Sequence, residues 1–186
     1  MTTTQQRNGV NVEQLTQTID HIKQQPGLAD FKFRAHTEWQ QGAKSRTSIT
    51  SLYGAGQEHG ESGRQFTLEG DEPGVLLGSD SAPNAVETVL HALTSCLTVG
   101  FIYNAAAKGI EVRALDFDVE GNLDLQGFLG LSDDSRPGYK NITVRYRVDS
   151  DAPREDLESL CEYVQKTSPV VDMLRNPVPV DIELVS

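Results

Sequence analysis

The chain has 186 residues, enough for one well-filled core and short for two full domains. A net charge of -11 and a pI near 4.7 argue against a phosphate backbone or an anionic membrane as the partner, since either needs a net basic face. Two cysteines, Cys96 and Cys161, are too few for a disulfide scaffold or a Cys-rich zinc module; in a reducing compartment both rest as thiols, and any chemistry they do is redox or nucleophilic.

The first residues, Met1 to Arg7, lack the apolar core of a signal peptide, so the expected location is the cytoplasm. Val12, Leu15, Ile19 and Ile22 then recur at helical spacing, and Pro26-Gly27 closes the segment. Residues 1–29 read as an N-terminal helical extension, followed by one domain over 30–186. Phe31, Phe33 and Ala35 alternate with Lys32, Arg34 and His36, the period of a half-buried strand running to Trp39. After a turn at Gln41-Gly42 the alternation resumes from Lys44 to Tyr53; 54–63 reads as a polar loop and Arg64 to Glu69 as a third strand of an antiparallel meander.

A loop from Asp71 leads to the most informative stretch. Ser81 is placed to cap a helix and Pro83 to sit in its first turn, where a missing N–H is harmless. From Val89 to Ala107 there is no formally charged residue, and Lys108-Gly109 supplies a cation and a left-handed stop. Such a run must be weighed as a membrane span. His91, Thr94, Ser95, Thr98, Gly100 and Asn104 dilute it, which favours a core helix wrapped in protein, since a helix apolar on all sides must be covered by something. Val112 to Leu125 and Asn141 to Val148 alternate as strands around a loop over 128–138. Ser150 or Asp151 opens a helix carrying Leu157, Leu160, Cys161 and Val164, which stops near Thr167 because Pro169 follows. Ser168 caps a short continuation to Leu174, and Val178 to Val185 forms a last strand.

This order, with a cysteine inside the apolar helix after Pro-Asn-Ala-Val-Glu-Thr-Val-Leu-His-Ala-Leu-Thr-Ser-Cys, resembles the OsmC/Ohr family over roughly Phe31 to Val185. Its markers are Pro83, Glu87, the Ala92 to Cys96 block, the Ser168-Pro-Val170 block and the Asn176-Pro-Val-Pro-Val stretch. The resemblance implies an α+β fold of order β(3)-α-β(2)-α(2)-β around a long buried helix, in an intertwined homodimer. It also implies thiol-dependent reduction of organic hydroperoxides at the dimer interface. The residues show no phosphate-binding glycine pattern, Gly-x-Ser-x-Gly elbow or Cys-x-x-Cys, so no cofactor or metal is expected, and the acidic charge and diluted apolar run argue against nucleic acid and membrane.

Such chemistry needs a thiolate, a cation to hold it, and a second thiol to resolve the sulfenic acid. The resemblance gives the first role to Cys96, against the plain alternative of an inert core cysteine. The family's second cysteine falls at Ser168, and a serine cannot resolve a sulfenate. Cys161 lies seven residues earlier, about two helical turns or on the order of 10 Å, and reads as structural. By resemblance an arginine and a glutamate attend the thiol: Glu87, and Arg46 with Arg34 and Arg64 as rivals. Glu87 stands nine residues before Cys96, about half a turn away around one helix, so direct contact within a chain is doubtful. Glu87 and His91 share a helix face and could pair. Glu58, His59 and Cys96 have no recognisable metal-ligand spacing.

Two functions are therefore in competition. The first is reduction of a small hydroperoxide by Cys96, with an external thiol as reductant; the second is non-catalytic binding of an apolar small molecule at the dimer interface.

Overall fold

The computed structural model describes residues 6–60 and 63–185. Met1 to Gln5 of the expected extension, Glu61 and Ser62 of the expected loop, and Ser186 at the end of the expected domain lie outside them. In chain order the elements are β1 (Gln6–Arg7), β2 (Val10–Asn11), α1 (Val12–Gln24), β3 (Lys32–Phe33), β4 (His36–Gln41), β5 (Lys44–Ile49), β6 (Leu52–Gly54) and β7 (Gln57–His59). They continue with β8 (Phe66–Gly70), α2 (Ala85–Ala107), β9 (Ala114–Asn122), α3 (Leu125–Phe128), β10 (Asn141–Asp149), α4 (Arg154–Thr167) and α5 (Pro169–Arg175). This is a mixed α+β fold with small sheets and a long central helix. The described residues divide into two compact units, 11–89 and 6–10 with 90–185, and the division falls inside α2.

In the first unit, α1 forms where its periodicity predicts, started by the Asn11 side chain accepting from the Gln14 N–H at 3.0 Å. The expected three-stranded meander is cut into more pieces. Alternation runs on through Arg34 and Ala35 in the sequence, but the backbone breaks there, and again at Thr50 and Ser51. The result is two antiparallel sheets of three strands each, in the orders β3-β6-β7 and β4-β5-β8. The polar loop expected from residue 54 contains a strand, β7, because Ala55 and Gly56 both take positive φ (49° and 80°), the geometry of a tight two-residue hairpin turn. Gly54 is buried under the Phe31 ring, which occupies the place a Cβ would take.

The second unit is built around the long hairpin of β9 and β10. Its outer face carries cross-strand charge pairs, with Arg147 bound to both Asp116 and Asp118. Its inner face, with Leu115, Phe117, Val144, Tyr146 and Val148, packs on α2 and α4. Phe101 of α2 is fully buried there, its ring 6.1 Å from that of Tyr146, which in turn meets Phe117 edge-on at 4.6 Å. Leu93, Leu97, Phe101 and Ala105 recur at helical spacing and bury one face of α2 against Leu160, Val164 and Val171. Asn8, at the turn between β1 and β2, pins that hairpin to the segment after α2 by bonding the Ile110 carbonyl and the Val112 N–H, both at 2.9 Å.

Among the described residues α2 is the one helix long and apolar enough to cross a membrane, and it packs as a core helix with one face covered by its own chain. Val99 and Tyr103 on the other face are 53% and 48% exposed. Two expectations need correction. Residues 178–185 form no strand and pair with no other strand among the described residues. Helix α4 opens at Arg154, not at Ser150 or Asp151: Ser150 donates to the Glu111 carbonyl and Asp151 binds Arg113 at 2.6 Å.

Candidate functional site

Cys96 lies on α2 between Leu93 and Leu97, one position off the buried stripe, and is accordingly half-buried. Helix α4 comes close because Gly100 has no side chain; a Cβ there would lie 3.0 Å from Val164 Cγ1. One turn back from Gly100 is Cys96, and one turn on from Val164 is Ser168. Their side chains meet, Sγ to Oγ, at 3.1 Å. The two helices therefore run antiparallel at this contact, and Cys161, two turns before Ser168, is carried away from Cys96.

Ser168 occupies a hinge in the chain. It follows α4, has extended backbone angles (φ -74°, ψ 119°), and caps α5 by accepting from the Val171 N–H at 3.2 Å. Its residue is 5% exposed. Cys161 packs against the apolar core, and burial pushes its thiol above the ordinary value, with the Glu158 charge adding to the effect. Burial likewise pushes the Tyr146 hydroxyl up to about 12, with Cys161 as a second cause.

The charged residues expected beside the thiol belong to the first unit, and each has a partner there. Arg46 Nε donates to Glu69 at 2.8 Å across the β5–β8 pair, and Arg34 grips Glu58 with two bonds of 2.8 Å. Arg64 lies over the Phe66 ring, 5.0 Å from its centroid. Glu87 is not the pair of His91: its Oε2 accepts from the Asn84 N–H while the Asn84 Oδ1 accepts from the Glu87 N–H, both at 2.9 Å. That is a reciprocal capping box, and it makes Asn84 the start of α2 in place of Ser81. Pro83 then precedes the cap. His91 sits 3.4 Å from the Ser95 hydroxyl, and His59 contacts the Gly54 carbonyl at 3.0 Å.

Ser81 is used elsewhere, in a cluster that sequence reading missed. The Asp71 carboxylate, 3% exposed, accepts from the Glu72 N–H and from the N–H and hydroxyl of both Ser79 and Ser81. The Ser79 hydroxyl, then the Ser81 backbone and hydroxyl, hold this carboxyl well below the usual range. The only signal was a carboxylate followed by Ser-Asp-Ser across an aperiodic loop.

Residues 78–183 match the OsmC-like protein family, more than half of the chain. The chain belongs to the OsmC-like protein family. Solved structures agree on the fold. An OsmC-like protein from Mycoplasma pneumoniae is 16% identical, with 78% of this chain and 89% of that chain covered and a TM-score of 0.58. An OsmC-like protein of unknown function from Vibrio cholerae is 13% identical over 76% of this chain and 92% of that one, with a TM-score of 0.56. An organic hydroperoxide resistance protein OsmC from Legionella pneumophila is 14% identical over 77% and 90%, with a TM-score of 0.54. No curated protein matches the sequence. The OsmC-like assignment covers α2 from its cap onward, both strands of the β9–β10 hairpin, and the Cys96 and Ser168 positions.

Proposed function

We propose that this protein reduces small organic hydroperoxides through Cys96 and relies on an external thiol to finish the cycle. The observation that carries the reading is the 3.1 Å contact of the half-buried Cys96 with Ser168. It puts a hydroxyl where the family resemblance expects a second thiol. In this reaction the Cys96 thiolate attacks an oxygen of the O–O bond; an S–O bond forms, the O–O bond breaks, and the leaving alkoxide takes a proton to become an alcohol. The sulfur is then a sulfenic acid. A low-molecular-weight thiol attacks it with loss of water to give a mixed disulfide, and a second thiol releases Cys96 as the thiol.

Support comes from two directions. The structurally similar Legionella protein is named for organic hydroperoxide resistance, and Cys161 is separated from Cys96 by the antiparallel helix packing. The reading needs neither Arg46 nor Glu87, which are engaged with Glu69 and Asn84. It places the protein in the cytoplasm as a homodimer, the second copy covering apolar side chains that one chain leaves exposed, among them Phe33, Trp39, Val99 and Tyr103. The competing reading requires an apolar pocket. A polar cavity of about 450 Å³ beside the loop between β9 and β10, lined by Asp124, Gln126, Ser132, Asp134, Arg136 and Lys140, is not that pocket, which the competing reading puts at the interface between two copies.

The test is stoichiometric consumption of cumene hydroperoxide by reduced protein, with Cys96→Ser beside it. One equivalent per wild-type chain and none by the variant is the expected result; equal, slow consumption by both sinks the enzymatic reading. Light scattering at decreasing concentration checks the dimer.

A further inference from the structure

The hydroxyl of Ser168 can be followed proton by proton. It is buried, and it has two partners among the described residues, the Val171 N–H at 3.2 Å and Cys96 Sγ at 3.1 Å. An amide N–H can only donate, so the Val171 contact consumes a lone pair of Oγ and leaves the hydroxyl hydrogen unused. A buried donor is costly to leave unmatched. The one acceptor within reach of that hydrogen among the described residues is Cys96 Sγ.

We propose that Ser168 is a positioning residue that donates its hydroxyl hydrogen to the Cys96 sulfur and holds that sulfur in place at the α4–α5 junction. This rests on Cys96 being the reactive thiol proposed above. A neutral thiol is a weak acceptor and a thiolate a strong one, so the bond strengthens when Cys96 ionises. The capping amide of Val171 polarises the same hydroxyl and reinforces the donation. The position that could have resolved the sulfenic acid serves instead to prepare the sulfur for attack, because a hydroxyl oxygen cannot supply the second sulfur of a disulfide. Resolution is left to thiols from outside.

The experiment is the pH profile of Cys96 alkylation by iodoacetamide, read peptide by peptide by mass spectrometry, in the full-length protein and in Ser168→Ala, Ser168→Thr and Ser168→Asp. Ser168→Ala removes the donor, and its profile should move to higher pH, with alkylation about tenfold slower at neutral pH. Ser168→Thr keeps both hydroxyl and cap and should restore the wild-type profile. Ser168→Asp keeps an acceptor for the Val171 N–H but replaces the donor with a negative charge, and should move the profile further than alanine does; it decides the matter if the alanine variant does not fold. A wild-type profile in Ser168→Ala or in Ser168→Asp overturns the assignment, because a capping role alone lowers the melting temperature without moving the thiol's pH dependence. Displaced profiles in a protein that consumes no hydroperoxide uphold the Ser168 assignment while removing the peroxidase reading.

Discussion

The two units of the chain are written in the same alternating code and end in opposite conditions. In the unit formed by residues 90–185, the hairpin of β9 and β10 turns its apolar side onto α2 and α4, and every buried apolar side chain among the described residues belongs to this unit. In the unit formed by residues 11–89, Phe31, Phe33, Trp39, Phe66 and Leu68 are all exposed, β4 is exposed on both faces, and the buried residues are Gly54 and Asp71. Alternation names the apolar face of a strand but does not supply its cover. One unit is held by a core, the other by hydrogen-bonded turns and caps, and each responds to a different kind of perturbation.

The largest expected effect is in the core. Phe101→Ala should cost about 3–5 kcal/mol in chemical denaturation, since the ring is fully buried among Tyr146, Val164 and their neighbours. Next comes Asp71→Ala, which strands the Ser79 and Ser81 donors and should lower the melting temperature by roughly 5 °C. The same carboxyl gives a pH test. A group held low in the folded chain stabilises it above the ordinary aspartate value, 3.8, and that contribution is lost as pH falls below it towards the depressed folded value. Amide shifts of Ser79 and Ser81 should therefore stay flat between pH 7 and 4; a titration step centred on the ordinary value contradicts the depressed carboxyl. Asn84→Ala, which opens the capping box, should cost about 1 kcal/mol. Smallest is Phe33→Ala, under about 0.5 kcal/mol in a monomer because the ring is 73% exposed. A larger, concentration-dependent loss at Phe33 would sharpen the contrast, marking it as core shared between two copies.

Much of this was legible in the sequence. Helix α2, Cys96 within it, and Ser168 as the cap of α5 follow from the uncharged run, the motif block and the rule that Pro169 ends the preceding helix. The break between β3 and β4 was hidden because alternation continues through Arg34 and Ala35, and periodicity carries no record of which sheet a strand joins. The capping box at Asn84 and Glu87 was written in the sequence, but Ser81 and Pro83 offered a competing start and Glu87 had been given to the thiol. The Asp71 cluster was unreadable, since its bonds span eight and ten residues of aperiodic loop. The contact of Cys96 with Ser168 needed the third dimension, supplied by the close approach at Gly100.

The tail after Asn176 joins no sheet among the described residues, and its two prolines bear on what kind of sheet it could join. In an extended chain successive backbone groups point to opposite edges, so Pro177 and Pro179 would lie on the same edge and remove two of its N–H donors, leaving those of Asp181, Glu183 and Val185. The other edge keeps the N–H groups of Val178, Val180, Ile182 and Leu184. The tail can dock along that edge and offers a broken ladder on its back. The two missing donors at its start make the proline edge a poorer template for a further strand, which blunts an otherwise apolar edge.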